Sequence, residues 1–523
     1  MRITIILIAI CVSFSVKAQN SPNRNYSEIN PVKTSPVIVQ TQQGKVEGYT
    51  DNGVAIFKGI PFAAPPVGKL RWKAPQAPAT WDGVRVCKTF SASPVQPTPV
   101  PFLCWSVEFI APPEPLSEDC LYLNVWTAAD LQKEKQPVFV WIYGGGFSSG
   151  SAACAIYDGQ EMAKRGIVFV SINYRVGAFG FMAHPDLTKE QNGASGNYGI
   201  MDQIAALEWV KKNITAFGGD PSRITIGGQS AGSFAVNALV ASPLAKGLFR
   251  GAIAESGGLL GDHLPGTLAD AEKVGLAIQN KSAAKTIDEM RLLPADSILY
   301  ISQHLEGKRM GLNLDGYVLP TDLWDYFKKD KQNDVFLLTG WVTGDGALFG
   351  PITATPATAQ KDAREKYGEQ ADLYLSAFPA ANDEQAKASQ QLGIIMAFAA
   401  FPSQQWALFN KHPAYLYEIS NVPTDLPGFP NYGAFHTSEV PYALHTLHLW
   451  KRPWTAHDYK VQELLSSYWL NFIKTGNPNG TNLPVWKNYD GKDGFILEVS
   501  NTSVSPLPSM KTQFETFKLV NKW

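Results

Sequence analysis

Two kinds of hydrophobic pattern divide this chain. In residues 137–143 (PVFVWIY), 166–174 (GIVFVSINY) and 223–228 (RITIGG), apolar and β-branched positions run on with little interruption. Such runs predict short strands covered on both faces. Between the second and third lies NYGIMDQIAALEWVKKNI, where Ile200, Ile204, Leu207 and Val210 recur at helical spacing. That spacing predicts an amphipathic helix. Strand and helix in alternation predict an α/β protein with a large, mostly parallel sheet flanked by helices.

Residues 335–338 predict a further buried strand, and residues 270–293 and 461–480 predict helices. Upstream of residue 137 the pattern changes. VIVQTQQGKVEGY predicts two short strands about a turn, and the next hundred residues are rich in proline, which predicts long ordered loops. With no internal repeat and no low-complexity linker, residues 36–523 read as one α/β domain with inserted loops.

The N-terminus, MRITIILIAICVSFSVKAQN, joins one early arginine to an apolar stretch and the small-x-small tripeptide Val16-Lys17-Ala18. This is the pattern of a cleavable signal peptide, residues 1–18, with the cut after Ala18 and a secreted or periplasmic product. A lipoprotein reading through Cys11 is disfavoured by Ile10, where a small residue is expected. Residues 19–35 are polar and read as a loose leader, and no later stretch is read as a membrane span.

Composition removes some function classes. The 523 residues are 45% hydrophobic and 17% charged, with a formal net charge of −1 and no long run of one sign. Nucleic acid and acidic membrane surfaces are therefore poor partners. Cys87, Cys104, Cys120 and Cys154 remain after the signal peptide, an even number that suggests disulfides in an exported protein, with three possible pairings. Their spacing suits no zinc site, and no metal or organic cofactor is expected.

The candidate chemistry begins at Gly228-Gln229-Ser230-Ala231-Gly232, a G-x-S-x-G pentapeptide. A strand leads in at 224–226 and a helix-forming run leads out at 231–240, the setting in which flanking glycines permit a sharp turn that exposes the serine Oγ. A serine hydroxyl needs a base, oriented in turn by a third group. His436, in the loop-like NYGAFHTSEVPYAL, is the candidate base. Asp345 in TGDGALFG, after the 335–338 strand, is the candidate acid that fixes its tautomer. His445 and His448 share a helical-looking segment and read as packing or surface residues.

Three consecutive glycines, Gly144 to Gly146, follow the 137–143 strand. Backbone N–H groups of Gly145 and Gly146, with that of Ala231 just after the nucleophile, can stabilise the oxyanion of an attacked ester. Tyr143, Phe147, Gln229, Leu348 and Phe349 flank these motifs and are candidates for an apolar substrate gorge.

The chain resembles the type-B carboxylesterase and cholinesterase-like family of α/β-hydrolases, especially its bacterial para-nitrobenzyl-esterase-like members. The motifs are FKGIPFAAPPVGKLRW, SEDCLYLNVW, VWIYGGGFSSGS, INYRVGAFGF, GNYGIMDQIAALEWVKKNITAFGGDPSRITIGGQSAGS and YWLNFIKTGNPNG, in the family's order. The resemblance implies Ser230 as nucleophile, His436 as base and Gly145, Gly146 and Ala231 as oxyanion donors. It also implies an Arg71–Glu118 ion pair and places Glu439 beside the histidine.

Two departures matter. The family usually has glutamate where Asp345 stands, so the loop bearing the shorter acid must sit closer to His436. Cys120 matches a family half-cystine, but the partner position near Ser93 has no cysteine. Gln229 stands where choline-binding members carry an acidic residue, and Ile110 where they carry tryptophan, which argues against cholinesterase activity. The expected activity is a serine carboxylesterase acting on small, uncharged esters. The rival readings are an inactive binding or adhesion protein of the same fold and an esterase for phenolic or acetyl groups on polysaccharides.

Overall fold

The uninterrupted apolar runs find strand partners on both sides. The structure, a computed structural model, describes residues 35–523 apart from 132, 134, 192 and 307–309. The signal peptide, its cut site and the leader up to residue 34 lie outside the described residues. Thirteen strands form one sheet. They are β1 (Ser35–Gln40), β2 (Lys45–Asp51), β3 (Val54–Pro61), β4 (Val84–Val86), β5 (Tyr122–Thr127), β6 (Gln136–Ile142), β7 (Val168–Ile172), β8 (Gly219–Gln229), β9 (Gly251–Glu255), β10 (Phe336–Val342), β11 (Ala414–Ile419), β12 (Leu497–Val499) and β13 (Val504–Pro506).

Their order is β1-β2-β3-β5-β7-β6-β8-β9-β10-β11-β12-β13, with β4 beside β2. Strands β7, β6, β8, β9, β10, β11 and β12 run parallel. The opening strands β1, β2, β3 and β5 pair antiparallel, as does the closing strand β13. Parallel strands need helical crossovers that cover both faces, which is why β6 and β7 are apolar except for Gln136 and Ser171 and buried along most of their length.

The helices follow the same logic. Helix α1 (Tyr198–Asn213) buries Ile200, Leu207 and Val210 completely, the face its periodicity predicted. Helix α2 (Ala231–Ala241) leaves the end of β8 and packs against β8 and β9. Helix α3 (Asp383–Ile395) continues through a π-helical turn, Met396–Ala400, into α4 (Phe401–Phe409). Pro402, with no N–H to give, stands two residues past that turn.

By length and composition the 383–409 stretch could cross a membrane, contrary to the sequence expectation, but 61% of its apolar window is buried inside the fold. Helix α5 (Ala456–Thr475) starts earlier than its apolar pattern indicated. There Thr455 and Asp458 form a capping box, and the left-handed Gly476 ends the helix.

The disulfide expectation is corrected: Cys87, Cys104, Cys120 and Cys154 are all free thiols. Cys87, Cys120 and Cys154 are buried as small apolar side chains, and burial pushes the Cys87 thiol up to about 11 and those of Cys104 and Cys154 to about 12.

Two ion pairs tie loops to the segments packed beside them. Arg71 clasps Glu118 through Nε (2.7 Å) and Nη2 (2.5 Å), the pair the resemblance implied, and its Nη1 donates to the carbonyl of Leu293 at 2.7 Å. Sequence reading did not find the second pair. Arg175, just after β7, donates through Nε and Nη2 to both oxygens of Asp202 on α1, at 2.8 and 2.7 Å, and both side chains are sealed from solvent. Removing one partner strands a buried charge. Asp202→Asn should lower unfolding free energy by about 3–5 kcal/mol, read as a fall in the urea midpoint.

Candidate active site

The centre of the site is a turn that only a few residues can make. Strand β8 ends at Gln229, helix α2 begins at Ala231, and Ser230 between them has φ 59° and ψ −125°. Holding a non-glycine residue there costs roughly 1–3 kcal/mol. Its N–H donates to the Glu255 carbonyl at 2.9 Å and its carbonyl accepts from Phe234 N–H at 3.0 Å, so β9 and α2 both hold the turn. A Cβ on Gly228 would lie 2.6 Å from the carbonyl oxygen of Ile142, and one on Gly232 only 2.1 Å from the same atom. Both glycines are required because the turn rests on the backbone of β6.

The glycine triplet after β6 closes on this turn. A Cβ on Gly144 would lie 2.6 Å from the Gln229 carbonyl and 3.0 Å from the Ser230 Cβ, so the loop lies directly against the nucleophile candidate. Gly145 and Gly146 take φ values of 120° and 62°. Their N–H groups find no acceptor among the described residues, and Ala231 N–H, at the first helical position, has no intrahelical acceptor. Gln96, missed by sequence reading, fixes the far end of the loop through paired bonds to Gly150, 2.9 and 2.8 Å.

Asp345 opens a short 3-10 turn after β10 and is completely buried. Its Oδ1 accepts from His436 Nδ1 at 2.5 Å and its Oδ2 from Val342 N–H at 3.2 Å. The close approach that the shorter acid demands is visible in the backbone. Gly344 N–H donates to the Ala434 carbonyl at 2.9 Å, and a Cβ on Gly344 would lie 2.3 Å from that oxygen.

His436 is 4% exposed. With Nδ1 given to Asp345, the ring has the Gln229 amide nitrogen over its face, 3.1 Å from Nε2 and 3.3 Å from Nδ1. Among the described residues Ser230 Oγ has no hydrogen bond to the imidazole, and catalytic hydrogen bonds of this kind often form only once substrate is present.

The predicted gorge residues divide. Phe349 stacks on His263 (ring centroids 5.7 Å apart) and meets Phe398 edge-on at 5.2 Å. Phe398 stands on the π-turn and packs edge-on against His436 at 5.7 Å, with Phe234 5.5 Å away. These rings form an aromatic wall beside the base, and sequence reading found only Phe349 among them. Leu348 is half-buried against the core.

Two assignments are corrected. Tyr143 is fully buried, stacks on Tyr174 at 4.4 Å and donates its hydroxyl to the Tyr174 carbonyl at 2.9 Å. Phe147 packs on Phe181 at 4.8 Å, nearly sealed from solvent. Both are packing residues, because the strand end and glycine loop turn them toward the core.

Behind the imidazole lie further carboxyls. Glu439 is buried, and its oxygens have no hydrogen-bond partner among the described residues. Glu255 accepts from Trp469 Nε1 of α5 at 2.8 Å. Burial pushes Glu255 up to about 8, and burial together with Glu255 and Asp345 raises Glu439 well above the usual carboxylate range. Burial thus disfavours charge on both, and Asp345 is the carboxyl hydrogen-bonded to the imidazole.

A strand–turn–helix elbow on a mostly parallel sheet, beside a glycine loop and a carboxylate-bound histidine, defines an α/β-hydrolase. Residues 35–518 match the Carboxylesterase family. The fumonisin B1 esterase of Sphingopyxis macrogoltabida is 35% identical, covering 87% of this chain and 85% of that protein. The para-nitrobenzyl esterase of Bacillus subtilis (strain 168) is 33% identical over 91% and 98%. A solved PNB esterase structure superposes with a TM-score of 0.80 at 29% identity, covering 92% of this chain and 99% of that one. The chain belongs to the carboxylesterase family, and it is a carboxylic ester hydrolase.

Glu255 has a raised folded-state pKa, so its favourable contribution is full below its unfolded value near 4.5 and is lost as pH climbs through about 8. Glu255→Gln stays neutral throughout. The Tm of this variant minus that of the parent should grow from pH 5 to pH 8 and then level off, as followed by thermal scans across that range.

Proposed function

We propose that the protein is an exported serine carboxylesterase that works through an acyl-enzyme on Ser230. The observation that carries this reading is the strained Ser230 turn, wedged between the glycine loop and the His436–Asp345 pair. Ser230 Oγ attacks the ester carbonyl carbon as its proton passes to His436 Nε2. The carbonyl π electrons move onto oxygen, where the N–H groups of Gly145, Gly146 and Ala231 stabilise the charge. The C–O bond to the alcohol then breaks, His436 gives its proton to the departing oxygen, and a tetrahedral centre becomes an acyl-serine. Water, deprotonated by the same imidazole, releases the acid and restores Ser230.

The aromatic wall of Phe234, Phe349 and Phe398 supports small, uncharged esters with apolar groups as the substrate class. Relatives named for fumonisin B1, para-nitrobenzyl and cocaine esters support a broad choice of ester. Export rests on the pattern of residues 1–18.

Purified protein should hydrolyse p-nitrophenyl acetate, butyrate and octanoate, and Ser230→Ala should remove that activity while leaving the circular dichroism spectrum unchanged. Undiminished turnover in the variant would end the serine reading. Asp345→Asn, which keeps the shape but frees the imidazole tautomer, should lower kcat by about 10²–10⁴-fold with a far smaller change in KM.

A further inference from the structure

The turn that carries the base contains a residue its backbone disfavours. Ser438 N–H donates to the Phe435 carbonyl at 2.8 Å, closing a four-residue turn with His436 and Thr437 at its centre. Thr437 takes φ 86° and His436 before it does not enter positive φ, the pattern of a type II turn, whose third residue is usually glycine or asparagine. A β-branched side chain is strained there. Thr437 is nevertheless buried, and its hydroxyl both accepts and donates.

That hydroxyl joins three segments. Thr437 Oγ1 accepts from Trp105 Nε1 at 3.2 Å and donates to Gln229 Oε1 at 3.1 Å. An indole N–H can only donate, so the Thr437 proton is directed to the Gln229 oxygen. Gln229 ends β8 directly before Ser230, and Thr437 stands directly after His436. Among the described residues Ser230 Oγ and the imidazole share no hydrogen bond, and the bond between Thr437 and Gln229 links their chain neighbours instead. Asp345 holds the imidazole at Nδ1, and Gly344 N–H holds the near side of the turn through the Ala434 carbonyl. Neither contact reaches β8.

We infer that Thr437 is a positioning residue whose hydroxyl clamps the turn bearing His436 to the strand end bearing Ser230. The role rests on the serine reading above. A glycine at this position would relax the backbone and lose the clamp, so the strain and the hydroxyl come together. Misplacing a reacting group by about 1 Å can cost about 10²-fold in rate, which makes a bond one residue from each partner matter.

The test is kcat and KM for p-nitrophenyl butyrate beside Tm, with Ser230→Ala as the background. Thr437→Ser keeps the hydroxyl and should stay within about twofold of the parent in kcat. Thr437→Val keeps the shape without the hydroxyl and should lower kcat by about ten- to a hundredfold with KM little changed. Thr437→Gly should lower kcat as far while holding Tm near the parent's, because relief of the left-handed strain offsets the lost side chain. Trp105→Phe removes only the donor that directs the hydroxyl and should lower kcat by less; it decides the matter if Thr437→Val and Thr437→Gly fail to fold. Parent kcat in a folded Thr437→Val or Thr437→Gly enzyme, or in Trp105→Phe where neither folds, overturns the inference and leaves the serine mechanism intact. A raised KM with kcat unchanged also overturns it and makes Thr437 a substrate contact. Losses of kcat that only track losses of Tm overturn it as well, leaving the hydroxyl a structural bond. Activity surviving in Ser230→Ala would sink the serine reading instead.

Discussion

The site depends on a contact between two pieces of backbone. The carbonyl of Ile142 lies where Cβ atoms on Gly228 and Gly232 would stand, and Gly144 in turn lies against the carbonyl of Gln229. Bare backbone on both sides lets the glycine loop and the nucleophile turn touch, and their touching sets the distance between the oxyanion donors and Ser230 Oγ. The parallel register of β6 and β8, with Gly228 opposite Ile142, delivers both pieces to the same edge. Neighbouring β9 ends in the same register with Glu255 opposite Gln229, so this buried carboxyl is delivered by the same alignment.

Legibility in the sequence followed physical locality. The strand runs, helix α1 and the G-x-S-x-G turn were readable because their determinants lie within a few residues: β-branched runs, helical spacing, glycines flanking a serine. Asp345 and His436 were reachable because each lies in a glycine-marked loop that breaks a regular pattern. The aromatic wall was largely hidden. Phe234, Phe398 and Phe349 come from three segments, and Phe398 is aimed at His436 by a π-turn for which apolar spacing carries no mark. The Arg175–Asp202 pair and Gln96 were missed for the same reason, since each joins segments far apart in sequence through side chains. Tyr143 and Phe147 were misjudged because adjacency to a motif says nothing about which way a ring turns. The cysteines misled because their even number is equally compatible with buried, unpaired thiols.

Electrostatically the site is built by subtraction. Several carboxyls are gathered behind one imidazole in a low-dielectric interior, where simultaneous ionisation would be prohibitive. Burial pushes Glu255 up to about 8 and Glu439 well above the usual carboxylate range, while Asp345, bonded to the imidazole and to a backbone amide, faces the base. The same interior carries Arg175 and Asp202 only as a bidentate, mutually neutralising pair. Charge is thereby confined to places where a geometry depends on it.

The π-turn at Met396–Ala400 gives the pocket wall a second coordinate besides residue identity. It holds more residues than a regular turn, so the segments on either side of it are set at a fixed angular phase. Deleting a single residue there would restore α-helical pitch and re-aim Phe398, the ring that the wide turn presents to His436. Homologues could thus remodel this side of the pocket by changing chain length within one turn, without exchanging any side chain that lines it.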